Sequence, residues 1–584
     1  MQGETPSSPV LWQDGVLRSS LYGDIYFSRE GGLAESRAVF LEGCNLPQAW
    51  AGRGRFVVGE LGFGSGLNIA ALLDLWARTR PRSGRLHVFS IEAHPMARED
   101  AARVLGHYPE IAPAAAALLD AWPGLRRGFH RIDLPQFDAT FDLAVMEAGE
   151  ALSQWQGSAD AWFLDGFSPA SNPAMWRDEV LDLVAARSAP DARIATFTVA
   201  GAVRRGLETR GFTIERKPGF GRKRERLEAR GSGETAAEAA PPSVLIIGGG
   251  IAGAALRRAF GALGVTVRVL AGPGSAASGN PAALVMPGMD ASGNARARFY
   301  GAAFSRAVQL YDALPGAVIA RGALQVEAEP RDPRRLDAVA GQDCFEPGDL
   351  ARTNPSQTAA WLDEPPGPGG LLVRGARVID PTLVVSAWLQ GGTTCGAVTG
   401  LEPHAGGWRA HRAGADPVLA DVVIIAAGWG AASLAPSLNL MAVRGQASWT
   451  PLADAPRAAS FSGYAIPTRD GVLFGATHDR DDVSLETSPE DHERNLWGLR
   501  AIHPRLAARI IVQDVQGRAA VRAATPDQMP AAGALAPGLF VLAGLGSRGF
   551  CTAPLLAEHI AALALGAPSP LALEAAGLVD PRRL

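Results

Sequence analysis

The stretch from Pro241 to Gly253, PPSVLIIGGGIAG, constrains the fold of this chain more than any other. Its two prolines interrupt whatever precedes them, since neither offers a backbone N–H and the second confines its predecessor to extended shapes. Val244-Leu245-Ile246-Ile247 is then an unbroken apolar run, the pattern of a strand buried on both faces of a parallel sheet. Gly248, Gly250 and Gly253 follow as GxGxxG and open a helical pattern from Ala254 to Leu263. In the order strand, glycine turn, helix, the motif marks a dinucleotide site. Gly248 permits the tight turn, Gly250 lets the backbone approach a pyrophosphate, Gly253 lets helix pack on strand, and the helix start offers its free N–H groups. A glycine-rich turn without a ligand is the alternative. The acid usual at the end of the second strand is absent, because Val265 to Leu270 runs directly into Ala271-Gly272. Two hundred and forty residues stand ahead of Pro241, so another unit is expected to fold before this one.

At 584 residues the chain is too long for a single core, and about three to four folding units are expected. The four cysteines, Cys44, Cys344, Cys395 and Cys551, are scattered with no CxxC and no His–Cys cluster. That pattern suits a reducing cytoplasm and argues against a disulfide framework or a bound metal. The start, MQGETPSSPVLWQDG, has neither a basic n-region nor an apolar h-region, so no signal peptide is expected. No apolar run reaches the roughly 18 residues of a membrane span. A formal net charge of −4 gives no global attraction to nucleic acid, so such a partner must use a local basic patch.

In the first 228 residues, Arg55 to Leu61 reads as a strand, Gly62-Phe63-Gly64-Ser65-Gly66-Leu67-Asn68 as a glycine loop, and Ile69 to Trp76 as a helix. A second strand, Leu86 to Ile91, ends in Glu92, an acid placed to accept from ribose hydroxyls. The loop, with Glu60 ahead of Gly62, Gly64 and Gly66, has the E-x-GxGxG form used for S-adenosylmethionine, which has no pyrophosphate to cradle. Strand-like runs at Phe141 to Met146, Ala161 to Leu164, Arg193 to Thr198 and Phe212 to Arg216 alternate with helical patterns, so a largely parallel α/β sheet is expected. The run Trp162 to Pro169, WFLDGFSP, ends an apolar strand in an acid at the carboxyl end, where open α/β sheets hold ligands. Asp165 either caps a turn there or faces a substrate amine. Glu147, closing the preceding strand, either meets an adenine amine or is solvated. The run Arg216 to Arg226 interleaves cations with Phe220 and two glycines, so Arg222, Lys223 and Arg224 form either a solvated face or an RNA contact. Glu228 to Pro242 has no apolar period and reads as a linker.

Beyond the GxGxxG motif, Ser278-Gly279-Asn280-Pro281 forms a loop suited to approach a flavin. Asp421 to Gly430, DVVIIAAGWG, is a second buried strand ending in glycines, with Gly428 on the cofactor side. Phe540 to Leu556, FVLAGLGSRGFCTAPLL, is a third return by strand, glycine loop and helix that includes Gly546 and Gly549. Arg522, ahead of a Pro-Asp turn, and Arg548, in that loop, are candidates to grip a substrate carboxylate, for which a guanidinium is the best protein partner. Ordinary surface ion pairs are the alternative.

Together these residues resemble the family of bifunctional tRNA 5-methylaminomethyl-2-thiouridine biosynthesis proteins. The likeness covers nearly the whole chain: Asp24-Ile25-Tyr26-Phe27-Ser28, the loop Gly62 to Asn68, WFLDGFSPASNP at 162–173, ATFTVAGAVRRGL at 195–207, GFGRKRE at 219–225, and then IIGGGIAG, ASGN, VRAATPD and LGSRGFCTAPL. The resemblance implies an amino-terminal Rossmann-like S-adenosylmethionine-dependent methyltransferase joined to a Rossmann-type FAD domain with an α+β substrate layer, of the D-amino-acid-oxidase type. It implies domains at 1–228 and 243–584 with a linker at 229–242. The FAD-binding parts would be about 243–320, 421–440 and 515–584, and the substrate layer about 321–420 and 441–514. It implies tRNA as the partner and two steps on its wobble uridine. The second domain would remove a carboxymethyl group from 5-carboxymethylaminomethyl-2-thiouridine, and the first would methylate the amine left behind. Asp165, Arg522 and Arg548 then take the catalytic roles. Glu60, Gly62, Gly64, Gly66, Asn68, Glu92 and Glu147 serve S-adenosylmethionine, and Gly248, Gly250, Gly253, Ser278, Gly279, Asn280, Gly428, Gly546 and Gly549 serve FAD. An amino-acid oxidase fused to a small-molecule methyltransferase, and a non-catalytic tRNA-binding fusion, are the competing readings.

Overall fold

The first unit is organised by strands that the sequence writes as continuous apolar runs, and the computed structural model places them side by side. It describes residues 10–13, 16–24, 31–221, 223–234, 240–272 and 277–584. The chain divides into Met1–Ala240 and Pro241–Leu584.

An eight-stranded sheet spans the first unit in the order Gly128–Leu134, Ala139–Val145, Arg85–Ile91, Arg55–Leu61, Ala159–Leu164, Ser188–Thr196, Glu225–Arg230, Thr213–Pro218. The five strands from Ala139–Val145 through Ser188–Thr196 run parallel, and the flanking ones pair antiparallel. Among the parallel strands the chain first steps outward from Arg55–Leu61 and then returns to its other side with Ala159–Leu164. The crevice between those two carboxyl ends is the switch point at which open α/β sheets hold ligands. Helix Leu67–Thr79 covers the sheet. Its Trp76 is fully buried, meets Trp50 edge-on at 5.1 Å between ring centres, and donates from Nε1 to the Phe137 carbonyl at 2.9 Å.

Two features depart from expectation. The strand Gly128–Leu134 was not anticipated, because His130, Arg131 and Asp133 break its apolar run. The last strand, Glu225–Arg230, runs beyond residue 228, and Gly231 and Gly233 still donate to the Ala192 and Pro190 carbonyls at 2.8 and 2.9 Å. The first unit therefore holds the chain past the expected start of the linker at 229. The motif residues 25–28 and part of that linker, 235–239, lie outside the described residues.

The second unit contains a six-stranded sheet ordered Thr393–Cys395, Val267–Ala271, Val244–Ile247, Val422–Ile425, Leu539–Ala543, Ala531–Ala536. All neighbours are parallel except the last pair. Helices Ile251–Ala262 and Gly549–Leu565 pack together over one face through residues such as Leu256, Phe260, Leu556 and Ile560. A ten-stranded sheet forms the substrate layer, and its membership corrects the expected boundaries. Ala283–Val285, Val318–Val326 and Gln516–Ala524 belong to it although they were assigned wholly or partly to the FAD-binding parts. Conversely, Thr393–Cys395 joins the six-stranded sheet, and Val398–His404, Gly407–Arg412 and Ala415–Ala420 make a separate three-stranded sheet. The cause is pairing at long range. Gln516–Ala524 lies antiparallel against Met441–Pro451 from Met441↔Ala524 to Trp449↔Gln516, a partner that local sequence cannot reveal.

Candidate functional sites

In the first unit a cavity of about 460 Å³ opens at the switch point. The glycine loop forms its floor because no side chain would fit there. Gly62 has φ +94°, and a Cβ on it would lie 2.4 Å from the Asp165 carbonyl oxygen. The close approach lets Asp165 N–H donate to the Leu61 carbonyl at 3.0 Å, joining the two strand ends. Phe63 anchors the loop, buried against Trp122 and Phe141 at 5.1 and 5.2 Å between ring centres. Gly66, with φ +74°, is tight against Leu118 and Phe63, so its role is turn and packing.

Six of the residues expected to serve methyl transfer converge on the cavity wall: Gly62, Gly64, Asn68, Glu92, Glu147 and Asp165. Glu92 ends its strand as expected and is held by the Gly64 and His94 N–H groups at 3.1 and 3.0 Å. Burial raises its pKa. Glu60 is placed differently from the expectation that it binds cofactor. It is fully buried beneath the loop, accepting from Ser90 Oγ at 2.6 Å and Asn68 Nδ2 at 3.1 Å. The same Asn68 amide donates to Asp165 Oδ2 at 2.7 Å, so one side chain orients two carboxyls. Burial pushes the Asp165 pKa up to about 7 and the Glu60 pKa up to about 8.

The basic run at 216–226 folds back as a hairpin whose cations meet nearby acids. Arg216 pairs with Glu225 at 3.2 Å, Arg226 with Glu228 at 2.9 Å, and Lys217 with Glu215. Lys223 stands apart from these hairpin pairs. Its Nζ pairs with Glu35 at 2.8 Å and lies 4.0 Å from the centre of the Phe197 ring, on the wall of the cavity. Arg224 is exposed at the turn, and Arg222 lies outside the described residues. Sequence reasoning also missed Tyr22, Glu35, Phe167 and Phe197 on this wall. Tyr22 and Phe167 rings approach to 5.1 Å. The two phenylalanines sit inside motifs already singled out, whereas nothing local marks Glu35.

In the second unit the GxGxxG loop is built as its spacing predicts. A Cβ on Gly248 would lie 2.1 Å from the Ala426 carbonyl oxygen, and one on Gly253 would lie 1.9 Å from that of Gly248. Only glycines allow strand, turn and helix to close so tightly. Gly250 stands at the helix start, where Ile251 N–H donates to Ser278 Oγ at 3.0 Å, bringing the Ser278–Asn280 loop against that start. Gly428 and Gly546 have φ of +58° and +55° with open space where a Cβ would stand, and Gly549 begins its helix. These backbones suit FAD. At the end of Val267–Ala271 the Ala271 methyl stands 3.0 Å from where a Gly249 Cβ would be, so the usual ribose acid is replaced there by a methyl group.

Arg522 is on the strand Gln516–Ala524. It donates to the Thr477 carbonyl at 3.0 Å, and its guanidinium passes over Gly445, where a Cβ would meet Nη2 at 2.2 Å. Arg548 is exposed at the start of helix Gly549–Leu565, 5.8 Å from the centre of the Tyr300 ring. The two segments are tied by the Ala524↔Leu545 bridge and by Gly546 N–H donating to the Ala523 carbonyl at 3.0 Å. Arg518, four residues before Arg522 on the same strand face, donates to Asn280 Oδ1 at 3.1 Å and so links the flavin-side loop to this strand. Tyr464 is nearby; burial pushes its hydroxyl up to about 12, against the pull of Arg522. Arg518, Tyr464 and Tyr300 were not singled out from sequence.

Residues 109–232 match a family model described as S-adenosyl-L-methionine-dependent methyltransferase, and residues 243–563 match one described as FAD dependent oxidoreductase. A tRNA 5-methylaminomethyl-2-thiouridine biosynthesis bifunctional protein MnmC from Caulobacter sp. (strain K31) is 57% identical over 590 residues, covering 99% of this chain and 98% of its own length. The protein of the same description from Caulobacter vibrioides is 58% identical over 570 residues, 97% of this chain and 96% of its own. Among solved structures, L-proline dehydrogenase from P. horikoshii is similar with a TM-score of 0.50 and 16% identity, covering 60% of this chain and 98% of that one. That likeness concerns the fold alone.

Proposed function

The chain belongs to the MnmC family of bifunctional tRNA 5-methylaminomethyl-2-thiouridine biosynthesis proteins, and from that premise we propose how its two sites divide the work. It is an S-adenosylmethionine-dependent methyltransferase joined to an FAD-dependent oxidoreductase. Its substrate is the wobble uridine of tRNA. The second unit converts 5-carboxymethylaminomethyl-2-thiouridine to the 5-aminomethyl nucleoside, and the first unit converts that to 5-methylaminomethyl-2-thiouridine. No helix among the described residues is long and apolar enough to cross a membrane, and no group of His, Cys, Asp and Glu among them is placed to hold a metal ion. We assign the protein to the cytoplasm, where its tRNA substrate is found.

In the oxidation, bound FAD would serve as acceptor for the hydride of the arm's N–CH2 methylene as the amine N–H loses its proton, and water would cleave the resulting substrate imine to glyoxylate and the primary amine. Arg522 and Arg548 grip the carboxylate of that arm. Arg522 is anchored by the Thr477 carbonyl and remains charged despite burial, since a guanidinium does not give up its proton in proteins. Gly250 at the helix start would receive the pyrophosphate, Gly248 and Gly253 permit the turn and the packing that put it there, and Ser278, Gly279, Asn280, Gly428, Gly546 and Gly549 stand around the cofactor.

In the methylation the attacking amine must be neutral, and an alkylamine has a pKa near 10. An ordinary aspartate with a pKa near 3.8 would lie about six units below it, roughly 8 kcal/mol against proton transfer. With Asp165 raised to about 7 the gap falls to about three units, roughly 4 kcal/mol. Asn68 fixes the Oδ2 edge of Asp165 at 2.7 Å and leaves the other oxygen for the amine. Gly62, Gly64 and Glu92 hold the methyl donor, with Glu147 toward its adenine. The observation that carries this reading is the buried Asn68–Asp165 pair at the switch point beside the glycine loop. Nucleoside mass spectrometry of tRNA incubated with each cofactor in turn tests it. FAD alone should yield the aminomethyl nucleoside, and S-adenosylmethionine added afterwards the methylaminomethyl nucleoside. Loss of mass without FAD, or no gain of methyl on aminomethyl tRNA, would overturn it.

A further inference from the structure

The charges on the methyltransferase wall are strongly one-sided. Asp24, Glu35, Glu92, Glu147 and Asp165 all line the cavity, and among the described lining residues Lys223 is the sole lysine or arginine. That lysine is committed twice, to Glu35 at 2.8 Å and to the face of Phe197 at 4.0 Å. Both partners are mounted on fixed elements. Glu35 lies in helix Gly32–Ser36, with its side chain only 13% exposed. Lys223 lies in the turn of the edge hairpin, where Gly219 N–H donates to the Arg224 carbonyl and Lys223 N–H to that of Phe220, both at 3.1 Å. Phe220 packs on the core of the unit. Glu35 and Lys223 also act on Asp165 in opposite directions, which puts both within electrostatic reach of the carboxyl that faces the substrate amine.

We propose that the Glu35–Lys223 pair determines specificity in this pocket, neutralising the cation that would otherwise hold a substrate carboxylate, so that the aminomethyl nucleoside enters and its carboxymethylated precursor is rejected. The inference rests on the methyltransferase reading above. The precursor differs from the product of oxidation by one carboxylate. Facing Asp24, Glu92, Glu147 and Asp165, that carboxylate meets like charge, and the ammonium that could offset them is occupied by Glu35. Discrimination by such repulsion is a common route to specificity where the two ligands share every attractive group. The order of the two steps is then set by charge: arginines receive the carboxylate in one unit, and acids refuse it in the other. A free Lys223 would pair with the carboxylate and trap the precursor in a pocket that cannot use it.

The test uses the full chain with FAD, kept anaerobic, without an electron acceptor and substoichiometric to RNA. Transfer of labelled methyl to tRNA bearing 5-aminomethyl-2-thiouridine is inhibited with two competitors, the same tRNA with unmodified uridine and with the carboxymethylaminomethyl nucleoside. The ratio of the two inhibition constants removes changes in turnover and in affinity for the tRNA body. Glu35→Gln should favour the carboxymethylated competitor by about tenfold relative to wild type. Glu35→Ser should do the same, and adding Lys223→Met to either should return the ratio to the wild-type value. An unchanged ratio in both Glu35 variants, or a raised ratio that survives loss of Lys223, would overturn the proposal. Failure of the wild type to methylate aminomethyl tRNA would instead overturn the reading on which it rests.

Discussion

Around the loop Gly62–Gly66 carboxyls predominate, with Lys223 as the one lysine or arginine among the described cavity-lining residues, and burial raises the pKa of Glu60, Glu92 and Asp165. The strand Gln516–Ala524 and the loop beyond it carry the guanidiniums of Arg518, Arg522 and Arg548, with the Asp479 carboxylate acting on Arg522, and the end of the second strand by the loop Gly248–Gly253 carries the Ala271 methyl instead of an acid. The two loops answer the same backbone problem in the same way, by admitting a close approach that any Cβ would block. Their surroundings answer different chemical problems. On the function proposed above, one site takes a proton from an amine, which calls for a carboxyl poised near neutrality, and the other holds an anion beside a redox cofactor, which calls for fixed positive charge. The strand, glycine turn and helix are shared between the units, and the reaction is set by what stands around that motif.

The sharpest way to break this contrast is to remove the fixed charge. Arg522→Met keeps much of the stem, deletes the fork and leaves the substrate carboxylate unpaired, at a cost of about 2–5 kcal/mol in transition-state binding. Oxidation of carboxymethylaminomethyl tRNA should fall accordingly, and Arg548→Met should behave alike. Flavin absorbance per chain should not change, and methyl transfer to aminomethyl tRNA should continue. Loss of flavin in both variants would mean the arginines hold cofactor and not substrate.

The same contrast explains what was legible before the structure. Both glycine loops, the parallel strands around them and Asp165 were readable, because a strand buried on both faces is an unbroken apolar run and a close backbone approach demands glycine at a fixed position. Lys223 was readable only as one cation in a basic run. Its place in the cavity depends on the hairpin Thr213–Pro218/Glu225–Arg230 folding back to bring it to Glu35, a partner 188 residues away. Glu60 was read as facing cofactor because its motif neighbours do, yet strand alternation turns it under the loop, where Ser90 and Asn68 hold it. Arg522 lies on a strand of the substrate layer, a placement hidden from the sequence because the nine-pair ladder to Met441–Pro451 leaves no local signature.

A second, smaller break targets the proton. Asp165→Ala should leave S-adenosylmethionine affinity nearly intact by calorimetry and lower methyl transfer about a hundredfold, the scale of a positioned acid–base group. Undiminished turnover would reduce Asp165 to a turn former.

The pH dependence sharpens the contrast without a mutation. A base must be ionised, and burial raises the Asp165 pKa to about 7, so methylation should be complete above that value and fall about tenfold per unit of pH below it. Asn68, Glu35 and Lys223 are the groups that act on it, and Glu60 shares the Asn68 amide. Oxidation by the second unit should lack this inflection. A methylation profile flat from pH 8 down to about 6 would exclude Asp165 as the base.

The smallest expected effect concerns the one acid that the two loops do not share. Glu92 presents a carboxylate where ribose hydroxyls are expected, with its oxygens steadied by the Gly64 and His94 N–H groups at 3.1 and 3.0 Å. Glu92→Gln keeps the length, removes the charge and turns one acceptor into a donor that faces a backbone N–H. Hydrogen bonds to charged groups contribute about 1.5–3 kcal/mol, and the raised pKa of Glu92 places it at the low end, so the Kd for S-adenosylmethionine should rise about tenfold. FAD content should not move, because the second unit already works with Ala271 in that place. A change in Kd of less than about twofold would show that the methyl donor, too, is held without its acid, and the charge difference between the two loops would then have no bearing on cofactor binding and matter only for the substrate.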